Sequence, residues 1–374
     1  MAENFFKHYI YPIATLSGNI IGVGFLALPY IALQVGIWPM LFYFIALTSL
    51  VIFVHVIFGR ICLKTPDFKR WPGFVGFYLG RWTKMLVLPL MISGSVGILL
   101  VYLIIGGQFL SELLLPIFGG VQINYVLLYF AAASIFVYFG VTLISKIDVL
   151  ALLVLCAILL IIFFKGSPYI HLDNIFTSSS NFQFSRFFLP YGAILFSLWG
   201  TGLIPEVEEM LRGNKKSLSK VIIASILIPA LIYFVFIFLI LGITGPATTS
   251  SALLGLKNVL GDGIVSVALF MGVITTFIAF IAQGLLLKKV FMYDVGVKEF
   301  PAWIFACFTP LILFLLGLNS FINLISFVGG FLLGIEGILI MLIYKKIGGK
   351  PIVVYPLMLV FILGIVYSLV YFIS

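Results

Sequence analysis

Ser17-Gly18-Asn19-Ile20-Ile21-Gly22-Val23-Gly24-Phe25-Leu26-Ala27-Leu28-Pro29 carries three glycines within seven residues and then a proline, in the middle of an apolar run long enough to cross a membrane. Each glycine costs about 1 kcal/mol of helix propensity relative to alanine, so the run predicts a helix that unwinds at its centre. A second stretch of this kind, Phe196-Ser197-Leu198-Trp199-Gly200-Thr201-Gly202-Leu203-Ile204-Pro205-Glu206, follows in the other half of the chain. Unwound backbone in hydrocarbon is tolerated only where protein or a water-filled cavity satisfies its freed N–H and C=O groups. Paired interruptions, one in each half, therefore point to a transport site near the bilayer midplane. Half-helix N-termini offer N–H groups and a positive dipole end to a carboxylate, while unwound carbonyls hold a cation or an ammonium, which suits a zwitterion. The spacing Gly18-xxx-Gly22 also fits close helix packing, and the pairing of the breaks is what favours the binding reading.

The rest of the chain is equally apolar: 63% of its 374 residues are hydrophobic and 9% charged, with a mean hydropathy of +1.29. No soluble domain needs that much apolar surface. Spans are expected near 10–32, 37–59, 85–110, 124–144, 147–165, 186–211, 219–244, 263–290, 301–318, 321–344 and 351–373. Runs such as Val149 to Phe164 are apolar on every face, whereas barrel strands alternate. The expected fold is an all-α membrane protein of about eleven transmembrane helices forming a single domain over residues 1–374. Gly166 to Ser185, with Ser178-Ser179-Ser180, reads as an external loop, Trp71-Pro72-Gly73 as part of a short surface helix, and Pro246 to Leu260 as an external half-helix. The first span has a single lysine before it and no cleavage signal after it, so it reads as retained.

A net charge of +9 raises the question of nucleic acid, and the placement of the basic residues answers it. With the N-terminus in the cytoplasm, inside loops collect 18 of the 21 Lys and Arg residues, leaving Lys165, Arg186 and Lys257 outside. This asymmetry orients a plasma (inner) membrane protein with its N-terminus cytoplasmic and, after an odd number of spans, its C-terminus outside. Lipid and a small molecule are the expected partners, and nucleic acid is not.

Enzymatic signatures are missing. Cys62, Cys156 and Cys307 show no CxxC spacing, three histidines stand without HExxH, and Gly348-Gly349-Lys350-Pro351 lacks the spacing and hydroxyl of a phosphate loop. Neither an enzyme nor a pump is expected, no cofactor is implied, and no ring of charges suggests a channel.

Gly18 to Tyr30 resembles the first-helix signature of the tryptophan/tyrosine (hydroxy and aromatic amino acid) permeases of the amino acid–polyamine–organocation superfamily. Tyr102 to Gln108, the run from Gly200 to Glu209 and Ile274-Thr275-Thr276-Phe277 agree with it. The resemblance implies a leucine-transporter-type five-plus-five inverted repeat, repeat one over about 10–165 and repeat two over about 186–344, with an extra helix at about 351–373. It implies import of an amino acid by cation symport; a sensor that keeps the fold and moves nothing is the alternative. By motif, the N–H groups of Val23 and Gly24 would receive a substrate carboxylate, and carbonyls of Ile20 and of Phe196, Ser197 and Leu198 its ammonium, with Gly22 in the same substrate site. Tyr102, Trp199, Gly200 and Thr201 would line the pocket. Carbonyls of Gly18, Ile21 and Gly272 with the hydroxyls of Thr275 and Thr276 stand where sodium-coupled relatives hold Na+. Proton-coupled members carry similar residues there, so the resemblance leaves Na+ and H+ open.

Two departures bear on the ion. Leu150 to Phe164 lacks the lysine that some proton-coupled relatives place in span five, and Glu336 lies within the apolar tenth span. A central carboxylate costs about 2.5–3.5 kcal/mol on insertion scales, so Glu336 is expected to face the bundle or water, as a proton-coupling group or as a packed, hydrogen-bonded one.

Overall fold

The computed structural model describes residues 6–67, 69–140, 144–176, 186–211 and 214–373, and both glycine-rich stretches in it are broken helices. In span one a π turn (Phe6–Ile10) leads into a helix over Tyr11–Ile20; the chain unwinds, passes through a 3-10 turn at Gly24–Ala27 and restarts as a helix over Leu28–Val35. The two halves are bent by 50°. Span six repeats the pattern: a helix over Leu189–Leu198, a 3-10 turn at Thr201–Leu203, and a second helix over Ile204–Met210. Both restarts begin on an apolar residue followed by proline, Leu28-Pro29 and Ile204-Pro205. In the first turn of a helix the missing proline N–H has no intrahelical partner to lose, so proline favours a restart where it would break an interior.

The other spans are Ile37–Lys64, Arg81–Phe118, Gln122–Phe139, Ile144–Gly166, Leu218–Thr244, Asp262–Val290, Glu299–Leu315, Phe321–Phe327 continuing through a π turn (Val328–Leu332) into Leu333–Lys346, and Pro351–Ile373. Among the described residues seven helices are long and apolar enough to cross a membrane alone, and eight with the bent first pair. The expected surface helix forms at Trp71–Leu79. The half-helix expected over Pro246 to Leu260 does not: the segment breaks into 3-10 turns at Gly245–Ala247 and Leu253–Leu256 and one helical turn at Lys257–Leu260. Its threonines compete for the backbone, Thr248 Oγ1 donating to Gly245 O at 2.6 Å and Thr249 Oγ1 accepting from Gly255 N at 3.3 Å. Ser178-Ser179-Ser180 and the inside-loop Arg212 lie outside the described residues.

Spans three, four, eight and nine pack into one group. At its lysine-rich end the buried Lys288 donates to Tyr138 O at 3.1 Å and pairs with Glu299 at 2.8 Å, binding the ends of spans eight, four and nine together. Spans one, two, six and seven form the second group. Span ten approaches it backbone to backbone: a Cβ on Gly329 would lie 1.9 Å from Gly192 O, and one on Gly192 would lie 2.2 Å from Ser326 O. Only glycine fits at this crossing.

Candidate functional site

The two breaks meet beside span seven. Tyr233, fully buried, has its hydroxyl 3.0 Å from the carbonyl of Ile20 and 3.2 Å from that of Ser197. Its ring stacks on Phe25 at 5.1 Å with 2° between the planes. Gly24 brings the breaks into direct contact, since a Cβ there would lie 2.6 Å from the Phe196 ring and 2.7 Å from Ser197 Oγ. From span three, the Tyr102 hydroxyl stands 3.3 Å from where a Cβ of Gly22 would be. Gly22, Tyr102, Ile20, Gly24, Phe196 and Ser197 are thus brought together. Val23 and Gly24 open the 3-10 turn, so their N–H groups have no acceptor within it. The Ile20 carbonyl already accepts from Gly22 N at 2.8 Å as well as from Tyr233, which engages both its lone pairs.

Trp199, Gly200 and Thr201 follow in the break of span six, where a Cβ on Gly200 would lie 2.6 Å from the Ile20 side chain of span one. Gly200 N donates to Nε2 of the fully buried His55 in span two at 2.9 Å. An imidazole that accepts at Nε2 is neutral and carries its proton on Nδ1. Trp199 packs edge-on to His55 at 5.0 Å and to Phe361 of the last span at 6.2 Å. Thr201 donates to Glu336 Oε1 at 2.5 Å, and the indole of Trp199 interacts with the same half-buried carboxylate without reaching hydrogen-bond geometry. Among the described residues Glu336 forms no ion pair. The expected lining by Trp199 and Thr201 is thus replaced, in this conformation, by a polar cluster behind the break between spans two, six, ten and eleven.

Of the five proposed cation residues, Gly272 and Thr275 line a cavity of about 40 Å³ with Phe25 and Leu26. Thr275 Oγ1 donates to Gly272 O at 3.1 Å. Thr276 is turned to another flank, where it meets Tyr129 of span four, its hydroxyl 2.8 Å from Gly272 O and 2.9 Å from Val273 O. Hydroxyls that bond one turn back within their own helix are the ordinary arrangement for a mid-helix threonine.

A cavity of about 870 Å³ opens at the end of the bundle opposite the lysine-rich one, lined by residues including Tyr30, Gln34, Gln108, Arg186, Asn319 and Asn323. Arg186 donates to Gln34 across it. At the other end the first half of span one is sealed to span seven by Tyr9 and Ser217 at 2.9 Å and by Ser17 Oγ donating to Ser225 O at 3.1 Å. Tyr233 and this amide-rich mouth escaped the sequence reading, whereas His55 stood out in it as a lone histidine within a span. The one available signal for Tyr233 is that it is the single tyrosine in Leu218–Thr244, and aromatic residues are common in spans.

A model of the family described as transmembrane amino acid transporter protein matches residues 9–344. Tyrosine-specific transport system 1 of Haemophilus influenzae is 23% identical over 204 residues, covering 54% of this chain and 50% of the relative; the chain thus matches about half the length of that relative. Among solved structures, Mhp1 in an inward-facing conformation gives a TM-score of 0.68 at 14% identity, covering 97% of this chain and 88% of Mhp1. MhsT in complex with L-phenylalanine gives 0.58 at 14% identity, covering 97% and 98%. These likenesses bear out the leucine-transporter-type fold with broken first and sixth spans and an added final helix, and they agree with the permease resemblance read from the sequence. The family is one of transporters, not enzymes.

Proposed function

The chain belongs to the transmembrane amino acid transporter family, and on that premise we propose that it imports an amino acid across the plasma (inner) membrane by cation symport with alternating access. The observation that carries this reading is the convergence of Ile20 and Ser197 carbonyls, one from each break, on the Tyr233 hydroxyl. Free N–H groups at Val23 and Gly24 meet the carboxylate, and carbonyl and phenol oxygens meet the ammonium. With the lysine-rich end in the cytoplasm, the large mouth faces outside and the Tyr9–Ser217 seal closes the inside, which is an outward-facing state of the cycle.

For the coupling ion, the arrangement supports a proton on Glu336 over sodium. Glu336 is hydrogen-bonded to Thr201 in the second break, so its charge bears directly on a segment that has to move, whereas the hydroxyls of Thr275 and Thr276 are engaged with carbonyls of their own helix. Neutral His55 lies beyond Trp199 in the same cluster, and no described lysine or arginine pairs with the carboxylate. The test is uptake of labelled amino acids into proteoliposomes with a sodium or a pH gradient imposed alone. Accumulation with the pH gradient in sodium-free buffer is expected. Sodium-driven accumulation that survives Glu336→Gln would sink the proton assignment, and binding without any uptake would favour a sensor.

A further inference from the structure

Ile20 ends the first half of span one and Ser197 lies one residue before the end of the first half of span six. Both carbonyls are therefore at the negative ends of half-helices, where the last carbonyls have no partner in their own helix. Tyr233 reaches both, yet a phenol has one proton and can fully satisfy only one acceptor at a time. Ile20 O has a second donor in Gly22 N, while Ser197 O has Tyr233 as its sole donor among the hydrogen bonds described. Gly22 lets the Tyr102 hydroxyl come close, a Cβ there lying 3.3 Å from it. The ring of Tyr233 is fixed by its stack on Phe25 and by Phe236, whose ring lies edge-on to Phe25 at 4.8 Å, so the oxygen is held in place whichever carbonyl it serves.

We propose that Tyr233 is the residue by which this site recognises a primary ammonium. The phenol keeps its proton on the Ile20 carbonyl and offers a lone pair to one substrate N–H; the Ser197 carbonyl, released from Tyr233, accepts a second. Two of the ammonium's three N–H groups then have an acceptor here, and no charge other than that of the ligand is needed. This rests on the transporter reading and adds to it the group that selects the amino end.

The test compares L-tyrosine with its desamino analogue, 3-(4-hydroxyphenyl)propionate, on purified full-length protein, after a binding screen of the twenty amino acids; if another amino acid binds tightest, it and its own desamino analogue replace them. Tyr233→Phe preserves the ring stack and removes the oxygen. A hydrogen bond to a charged group corresponds to roughly a ten- to hundredfold change in Kd, so the amino acid should weaken by that factor while the desamino analogue changes less than about twofold. Equal weakening of both ligands, or of neither, would overturn the assignment. If Tyr233→Phe does not fold, 3-fluorotyrosine incorporated at position 233 retains ring and hydroxyl but makes the oxygen a poorer acceptor and a better donor. Weaker amino acid binding is then expected, and unchanged or tighter binding overturns the proposal. Absence of binding by all twenty amino acids would overturn the transporter reading along with it, whereas normal binding and uptake by Tyr233→Phe would overturn this inference alone.

Discussion

The break in span one and the break in span six look alike along the chain and differ in what surrounds them. Around Gly22 and Gly24 the break is backbone, closed in by rings of spans three, six and seven. Around Gly200 it is held by side chains: His55 on its amide and Glu336 on Thr201. The difference separates two tasks. The first break presents N–H groups with no acceptor in their own turn and is faced by phenols rather than by a carboxylate or an imidazole, which suits it to binding. The second is tied by polar groups to spans two and ten, which suits it to moving when one of those groups changes its charge.

The strongest way to break this comparison is to fill the glycines. Gly24→Val drives a side chain into Phe196 and Ser197, overpacking that costs about 1–3 kcal/mol and holds the breaks apart. Uptake should be lost, with a matching fall in thermal stability in detergent. Gly202→Ala in the second break meets nothing within 4 Å and should transport as wild type. Equal damage by both would show that the breaks are not functionally distinct.

Next in size is Glu336→Gln. An amide oxygen still accepts from Thr201, so substrate exchange in proteoliposomes should persist while accumulation against a concentration gradient disappears. Loss of exchange as well would assign Glu336 to the architecture of span six rather than to coupling. His55→Phe should cost about 1–3 kcal/mol, the penalty for a buried donor left without an acceptor, with His55→Gln recovering part of it; thermal unfolding of the two variants measures this, and equal stability would mean that Gly200 N finds another partner. The smallest effect belongs to Thr276→Ala. Its hydroxyl donates to carbonyls of its own helix, so stability should change by about 1 kcal/mol and uptake should show no sodium dependence in either protein. A sodium-dependent wild type that becomes sodium-independent on this substitution would restore the sodium site.

The spans, the two breaks, the proline restarts and the clustering of lysines at one end were all legible in the chain, because each follows from local composition: apolar length, glycine and proline cost, and loop charge. Part of the site was legible for the same reason, since Gly22, Gly24, Ile20 and Ser197 sit in or beside the glycine-rich runs. Glu336 stood out as a charge in an apolar span, but its partner Thr201 is 135 residues away in sequence, and no local pattern connects them.

Thr275 and Thr276 show where such reading stops. They are neighbours in sequence, and a helix turns about 100° per residue, so one lines the cavity beside Phe25 while the other meets Tyr129 on a different flank. Hydrophobic length and backbone propensity, which are properties of short segments, determined from the sequence alone that this protein crosses the membrane many times and unwinds twice. The direction of each side chain around its helix, and which helix lies opposite, depend on packing among distant segments; only the tertiary structure decided that Tyr233 would join the two breaks, that His55 would hold one of them, and that Glu336 would stand behind it.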